Sequence, residues 1–321
     1  MKKEDVPQFK RFEPIANAEE LARLKHEVLI DKDIESLAEQ PHGLDFKVDH
    51  FRDVNDVHNR AVEWREEVSP EGEVYEIAKL APNGEYDMSL RPILKETPSE
   101  LDYELVLLPR SSLLRAGIEG WISGYNQEGI EKGEKALGTK PTSSEFKQMR
   151  YGSFRIKILN PNGVEIERDT PVVQILFIKK RTEGEESVSE KDFEPLHLGE
   201  ILSFNEQSPH LAKNKARQNL NVTQPMELSD GKYLLRQGVP YLLRSQESVA
   251  LSSDEIGTTQ GSLGETEFAN GSALVDAGYE GKLTYLIVPH ADIELRAGDK
   301  IANLLRTKVP PTQNTYQGQW K

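Results

Sequence analysis

The sequence predicts a mainly β protein of two tandem β-barrel or jelly-roll lobes, with short helices near the N-terminus. Three observations lead there. From Gly43 onward the apolar residues fall in short alternating or β-branched runs, at 103–108, 154–159, 172–178 and 283–288, separated by Gly, Pro, Asn and Asp. That rhythm belongs to sandwiches and barrels. Residues 179–194 are rich in Lys, Glu and Ser and nearly free of apolar side chains, as linkers are. The pattern Val164-Glu165-Ile166 followed by Val172-Val173-Gln174-Ile175-Leu176 returns 129 residues later as Ile293-Glu294-Leu295 and Ile301-Ala302-Asn303-Leu304-Leu305. A repeated order of strand signals points to duplication of one β fold.

Taken in order, residues 17–38 place Leu21, Leu24, Val28 and Leu29 at helical spacing after a capping Asn17, with Ile34 and Leu37 in a second short stretch. One or two short helices are expected. The first lobe then runs to residue 185, with further helix expected in an insertion at 126–147, and the second covers 186–321. A weaker echo pairs Pro92-Ile93-Leu94 with Pro240-Tyr241-Leu242.

Composition narrows the function. The 321 residues are 36% hydrophobic and 29% charged, the balance of a globular chain. Residues 1–11 are charged and no apolar run approaches the ~18 residues of a membrane span, so a cytoplasmic protein with no membrane partner is expected. With no cysteine, thiolate catalysis and Cys-ligated metals are excluded, and with them the zinc nucleobase deaminases, which hold their metal through Pro-Cys-x-x-Cys. A net charge of −14 argues against nucleic acid as a partner, because such affinity rests on Lys and Arg neutralising phosphates. A small phosphorylated ligand needs only a local cluster of donors. Gly-rich phosphate loops are absent, and His197 reads as a solvated or packed residue, with Glu194 and Glu200 expected on the opposite strand face from its ring.

Such a donor cluster exists in Pro109-Arg110-Ser111-Ser112-Leu113-Leu114-Arg115-Ala116-Gly117. Two guanidiniums and two hydroxyls within six residues suit a polyphosphate, since Arg gives forked, charge-assisted hydrogen bonds. The segment closely resembles the Arg-Ser-Ser-Leu-x-Arg-x-Gly phosphate motif of dCTP deaminases. Gln40-Pro41-His42-Gly43-Leu44-Asp45 looks like the early Pro-Asn-Gly-x-Asp-Leu signature of the same enzymes. Leu274-Val275-Asp276-Ala277-Gly278-Tyr279-Glu280-Gly281 is similar to the Ile-Asp-x-Gly-Tyr-x-Gly hairpin shared by dUTPases and dCTP deaminases, and the strand carrying Gln174 is similar to the family's Ile-x-Gln-Leu segment. The terminal Tyr316-Gln317-Gly318-Gln319 looks like the deaminase tail.

The resemblance, to the dCTP deaminase and trimeric dUTPase superfamily and its long two-domain bacterial members, implies dUTPase-like barrels and a pyrimidine deoxynucleoside triphosphate as substrate. It implies Mg²⁺ carried with the nucleotide, no zinc, and a homo-oligomer, since family sites lie between subunits. Asp276 and Arg115 would be catalytic. Asp45, Arg110, Ser111, Ser112, Gln174, Gly278, Tyr279, Tyr316 and Gln319 would bind substrate. The Arg/Ser motif sits in the first half and the clean hairpin in the second, so one composite site drawn from both lobes is expected. One element departs from the pattern. Family deaminases carry a glutamate base five residues after the hairpin's last glycine, and counting from Gly281 reaches Leu286, while the first-lobe equivalent after Gly152 is Lys157. Glu265, Glu267 and Glu280 are the nearby carboxylates. Three readings stay open at this point: deamination of dCTP with a relocated carboxylate, hydrolysis of dUTP to dUMP and diphosphate with Asp276 as base, and non-catalytic nucleotide binding.

Overall fold

The structure is a computed structural model that describes residues 18–30, 39–40, 43–58, 60–91, 93–94, 103–122, 153–179, 193–261, 274–309 and 311. The expected helix at 126–147, most of the linker and the C-terminal tail lie outside these residues. The first helix, Ala18–Val28, buries Leu21 and Leu24 against the first core. It ends where Leu29–Ile30 pairs with Ile93–Leu94, so Leu29 is strand rather than helix; pairing with a partner far along the chain overrides local helical spacing.

Two seven-stranded antiparallel sheets dominate, and they repeat one topology. In the first, the path runs Tyr103–Pro109, Pro171–Lys179, Gly43–Asp53, Glu85–Arg91, Ser153–Ile158, Ile118–Ile122. In the second it runs Leu274–Val275, Glu255–Gly261, Lys300–Lys308, Phe193–Phe204, Tyr241–Ala250, Glu280–Ile287. Set side by side, five strands of each half occupy the same places: the first long strand lies centrally, between the last strand and the second. Each half also adds a smaller sheet, in which Val164–Glu167 pairs with Val74–Leu80 and Ile293–Leu295 pairs with Tyr233–Leu235.

Local details repeat as well. Tyr86 Oη accepts a hydrogen bond from Ala81 N–H at 2.9 Å, and Tyr241 Oη accepts one from Arg236 N–H at 3.1 Å. Three residues before each tyrosine the backbone takes a positive φ, at Asn83 and Gly238. The turn into the last strand does the same at Asp169 (φ 62°) and Gly298 (φ 89°), again 129 residues apart; Asp and Gly are among the few residues that tolerate this region. The earlier echo of Ile93 with Tyr241 does not hold in the fold. Ile93 lies in a two-residue strand, and the counterpart of Tyr241 is Tyr86.

Each half has its own apolar core, built on Phe51, Met88, Phe154 and Phe177 in the first and on Leu198, Leu243, Tyr285 and Leu304 in the second. The halves are joined in two ways. Residues 205–222 reach back onto the first half, where His210–Leu211 pairs in parallel with Val164–Glu167 and Leu211 and Leu220 enter the first core. Leu114 of the first half packs with Leu202, Leu242 and Leu286 of the second. Burying such side chains contributes roughly 1.5–3 kcal/mol each, so the leucine contact fixes the relation between Leu114 and the strand Glu280–Ile287.

Candidate functional site

The Arg/Ser motif begins where Tyr103–Pro109 ends. Arg110 N–H donates to Val172 C=O at 2.9 Å, and the short helix Ser111–Arg115 follows. Leu113 and Leu114 are buried and anchor the helix, which turns Ser111 and Arg115, one helical turn apart, toward solvent together. Arg115 Nε donates to the Ser111 carbonyl at 3.3 Å, and its guanidinium lies 3.5 Å from Ser111 Oγ. Gly117 then takes φ +76°, and a Cβ there would come within 3.0 Å of Asn160 and of Phe204 from the second half. Only glycine suits that turn.

The hairpin is shaped by its own backbone. Tyr279 N–H donates to Asp276 C=O at 3.1 Å, Gly278 N–H to Ser252 C=O at 3.2 Å, and Gly278 has φ +75°. Tyr279 Oη donates to Lys282 C=O at 2.7 Å, which holds the ring against the hairpin.

The two segments meet within one chain. Ser111, Leu114 and Arg115 form one side of a crevice of about 270 Å³, and Asp276, Tyr279, Lys282 and Thr284 line it from the second half, with Arg244, Thr259 and Tyr285. Behind this wall lies a polar cluster. Arg110 Nη1 donates to Asp45 Oδ1 at 2.9 Å, and Asp45 stands beside Gln174 in strand register. Asp45 and Gln174 are both buried. Asp276 is half-buried as a residue, but its Oδ1 is sealed from solvent, as is Gln174 Nε2, and neither atom has a hydrogen bond of good geometry among the described residues. Burial pushes the Asp276 carboxyl above its ordinary value, while the Arg110 charge and the nearby Gln174 side chain pull it back. A carboxyl so poised can hold or release a proton.

The structure therefore sorts the sequence-derived residues. Ser111, Arg115, Asp276 and Tyr279 share the crevice. Asp45, Arg110 and Gln174 stand behind it, around Asp276. Gly278 shapes the hairpin, and Ser112 is half-buried, its carbonyl accepting from Ala116 N–H at 3.0 Å. Tyr316 and Gln319, like Glu265 and Glu267, lie outside the described residues. Leu286, at the position of the family glutamate, is buried in the leucine contact between the halves, and Glu280 is exposed. Among the described lining residues Asp276 is the single carboxylate.

Sequence reasoning missed Arg244, Lys282, Thr284, Tyr285 and Thr259. Lys282 to Tyr285 follow the hairpin block directly, whereas Arg244 stands in a strand that also carries Ser245, Gln246, Glu247 and Ser248, so nothing in the sequence singled it out. His197 also gains a partner the sequence did not suggest. Bulges on its strand and on Tyr241–Ala250 bring its Nδ1 to 2.6 Å from Glu247 Oε1, and its N–H donates to Glu247 Oε2 at 2.9 Å. Among the described residues no group of three or more His, Asp or Glu is placed to hold a metal ion, and no helix is long and apolar enough to cross a membrane.

Comparison with known proteins bears on the same features. A family model described as dCTP deaminase-like matches residues 190–308, the half that carries the Asp276 hairpin. No curated protein matches the chain by sequence. Among solved structures, the crystal structure of 2'-deoxycytidine 5'-triphosphate deaminase from Agrobacterium tumefaciens is similar, with a TM-score of 0.62 and 14% identity, over 95% of this chain and 99% of that one. The agreement runs over both lobes, so this chain has the fold of that deaminase, and the dCTP deaminase-like family model falls on its second half.

Proposed function

We propose that the chain binds a pyrimidine deoxynucleoside triphosphate in the crevice and hydrolyses it, deaminating dCTP to dUTP and ammonia without zinc. The observation that carries this reading is the Asp276 carboxyl, raised by burial, in the same crevice as the Arg115 and Ser111 donors. Arg115 and Ser111 hold phosphate oxygens by charge-assisted hydrogen bonds. Tyr279 offers its ring to the deoxyribose. Asp276 takes a proton from water as oxygen adds at C4 of the base and N3 is protonated, then delivers a proton to the departing amine. The two protons of water thus end on N3 and in ammonia. Burial, which raises the carboxyl's affinity for a proton, suits that role. The nucleotide brings Mg²⁺ with it, and the protein works as a homo-oligomer.

A second reading has its own support. Leucine at 286, with Asp276 as the single carboxylate among the described lining residues, fits a dUTPase-like reaction in which Asp276 activates water toward a phosphorus and diphosphate leaves. Incubating the protein with dCTP or dUTP and Mg²⁺, then resolving dUTP, dUMP, diphosphate and ammonia, separates the two. Ammonia from dCTP supports deamination. Diphosphate without ammonia supports the second reading. Binding with neither product would leave the chain a nucleotide sensor and overturn both.

A further inference from the structure

The crevice holds more positive charge than the Arg/Ser motif supplies. On Tyr241–Ala250, Arg244 stands in register between Glu200 on one neighbouring strand and Thr284 on the other. These three side chains form a row on one face of the second sheet. Two residues along, on the same face, Leu202, Leu242 and Leu286 form the row that packs on Leu114. The Arg244 row therefore looks toward the first half, and Arg244 and Thr284 line the crevice together with Ser111 and Arg115.

Arg244 Nη1 donates to Glu200 Oε1 at 2.7 Å. The pair is only 26% and 32% exposed, so the guanidinium is held in one place rather than sweeping through solvent. Lys282, on the strand beyond, lines the same space. Three cations thus border a crevice whose single described carboxylate is sealed on one oxygen, in a chain of net charge −14. Such local reversal of sign concentrates a polyanion.

We propose that Arg244, oriented by Glu200, makes the crevice selective for a nucleoside triphosphate over shorter phosphates. This rests on the nucleotide reading above and adds to it a second, opposing wall. A triphosphate is long enough to reach Arg115 and Ser111 from the first half and Arg244 and Lys282 from the second. A monophosphate engages the Arg115 wall alone. Glu200 holds the planar fork of Arg244 at the crevice wall, and a guanidinium fork matches the geometry of phosphate oxygens.

The test is calorimetric titration of wild type, Arg244→Gln and Arg244→Lys with dCTP, dCMP and inorganic tripolyphosphate at fixed Mg²⁺. In Arg244→Gln, affinity for dCTP and tripolyphosphate should fall at least about tenfold and for dCMP less than about twofold, with Arg244→Lys between. Equal loss for all three ligands would mark Arg244 as merely structural and overturn the inference, as would no loss for any. Should Arg244→Gln fail to fold, Arg244→Lys decides: its preference for dCTP over dCMP must drop severalfold, and an unchanged preference overturns the proposal. Wild type that binds none of the three sinks the nucleotide reading and this inference with it. Wild type that binds all three, with Arg244 variants unaltered, sinks the inference alone.

Discussion

Behind the crevice, Arg110 is tied to the buried Asp45 and faces Asp276; along its wall, Arg115, five residues later in the same motif, folds back on Ser111 at the surface. The two guanidiniums are alike in sequence and opposite in surroundings. Arg110 sits where the strand Tyr103–Pro109 ends against buried strands, so its partners are protein carboxyls and its removal is paid for by the fold. Arg115 sits on a helix whose inward positions are already filled by Leu113 and Leu114, so its removal should cost ligand and little else. A motif that looks like one phosphate clamp is divided by its backbone into a structural floor and a binding wall.

The comparison breaks first at the floor. Arg110→Gln takes the guanidinium away from Asp45, whose side chain is 2% exposed, and breaking a buried ion pair by removing one partner costs about 3–5 kcal/mol. Urea denaturation should show a large drop in midpoint, and an Arg110 variant as stable as wild type would move Arg110 to the wall. Next in size, Asp276→Asn should lower turnover about 10²- to 10⁴-fold with nucleotide affinity largely kept, as read by product formation and calorimetry; full turnover would leave Asp276 a hairpin residue only. Arg115→Ala should then weaken nucleotide binding by the worth of a charge-assisted contact, about 1.5–3 kcal/mol, while the unfolding midpoint stays near wild type. Loss of stability in Arg115→Ala comparable to that in Arg110→Gln would erase the distinction between floor and wall.

How much of this was legible in the sequence follows from what fixes each feature. The long strands were, because alternation is a local signal: runs at 103–108, 154–159 and 172–178 lie within one or two residues of the observed strands. The repeat was legible where both halves keep one spacing, around Asp169 and Gly298. It misled at Pro92, because connections of unequal length change the offset, and only the matching Tyr86 and Tyr241 hydrogen bonds reveal the true counterpart. The Arg/Ser motif and the Asp276 hairpin could be named from sequence, as could their placement in different halves, but not that Ser111–Arg115 is helical. The floor could not be told from the wall, since burial of Asp45 and Gln174 is set by strand pairing across more than a hundred residues. Arg244 was invisible for the same reason: its meaning lies in a register with Glu200 and Thr284.

The smallest expected effect concerns stability, and it tests whether Asp276 belongs to the floor. Burial raises its carboxyl above the ordinary 3.8, and Arg110 and Gln174 only partly offset this. The folded protein therefore binds this proton more tightly than the unfolded chain does. Between the ordinary value and the raised one the native state holds more protons, so this group's contribution to stability falls as pH rises through that window and levels off above it. Asparagine resembles the neutral carboxyl at every pH. Asp276→Asn and wild type should then unfold at similar temperatures near about pH 4, and the variant should become the more stable of the two as pH climbs toward about 8. Removing Arg110 as well should widen the gap, because the charge that favours the carboxylate is gone; comparing Arg110→Gln with the double variant isolates that contribution. A gap that stays flat with pH, or one in which wild type gains on the variant as pH rises, would mean that Asp276 ionises freely in the folded protein. It would then belong with Arg115 on the wall, and its proton would be set by solvent rather than by the cluster behind it.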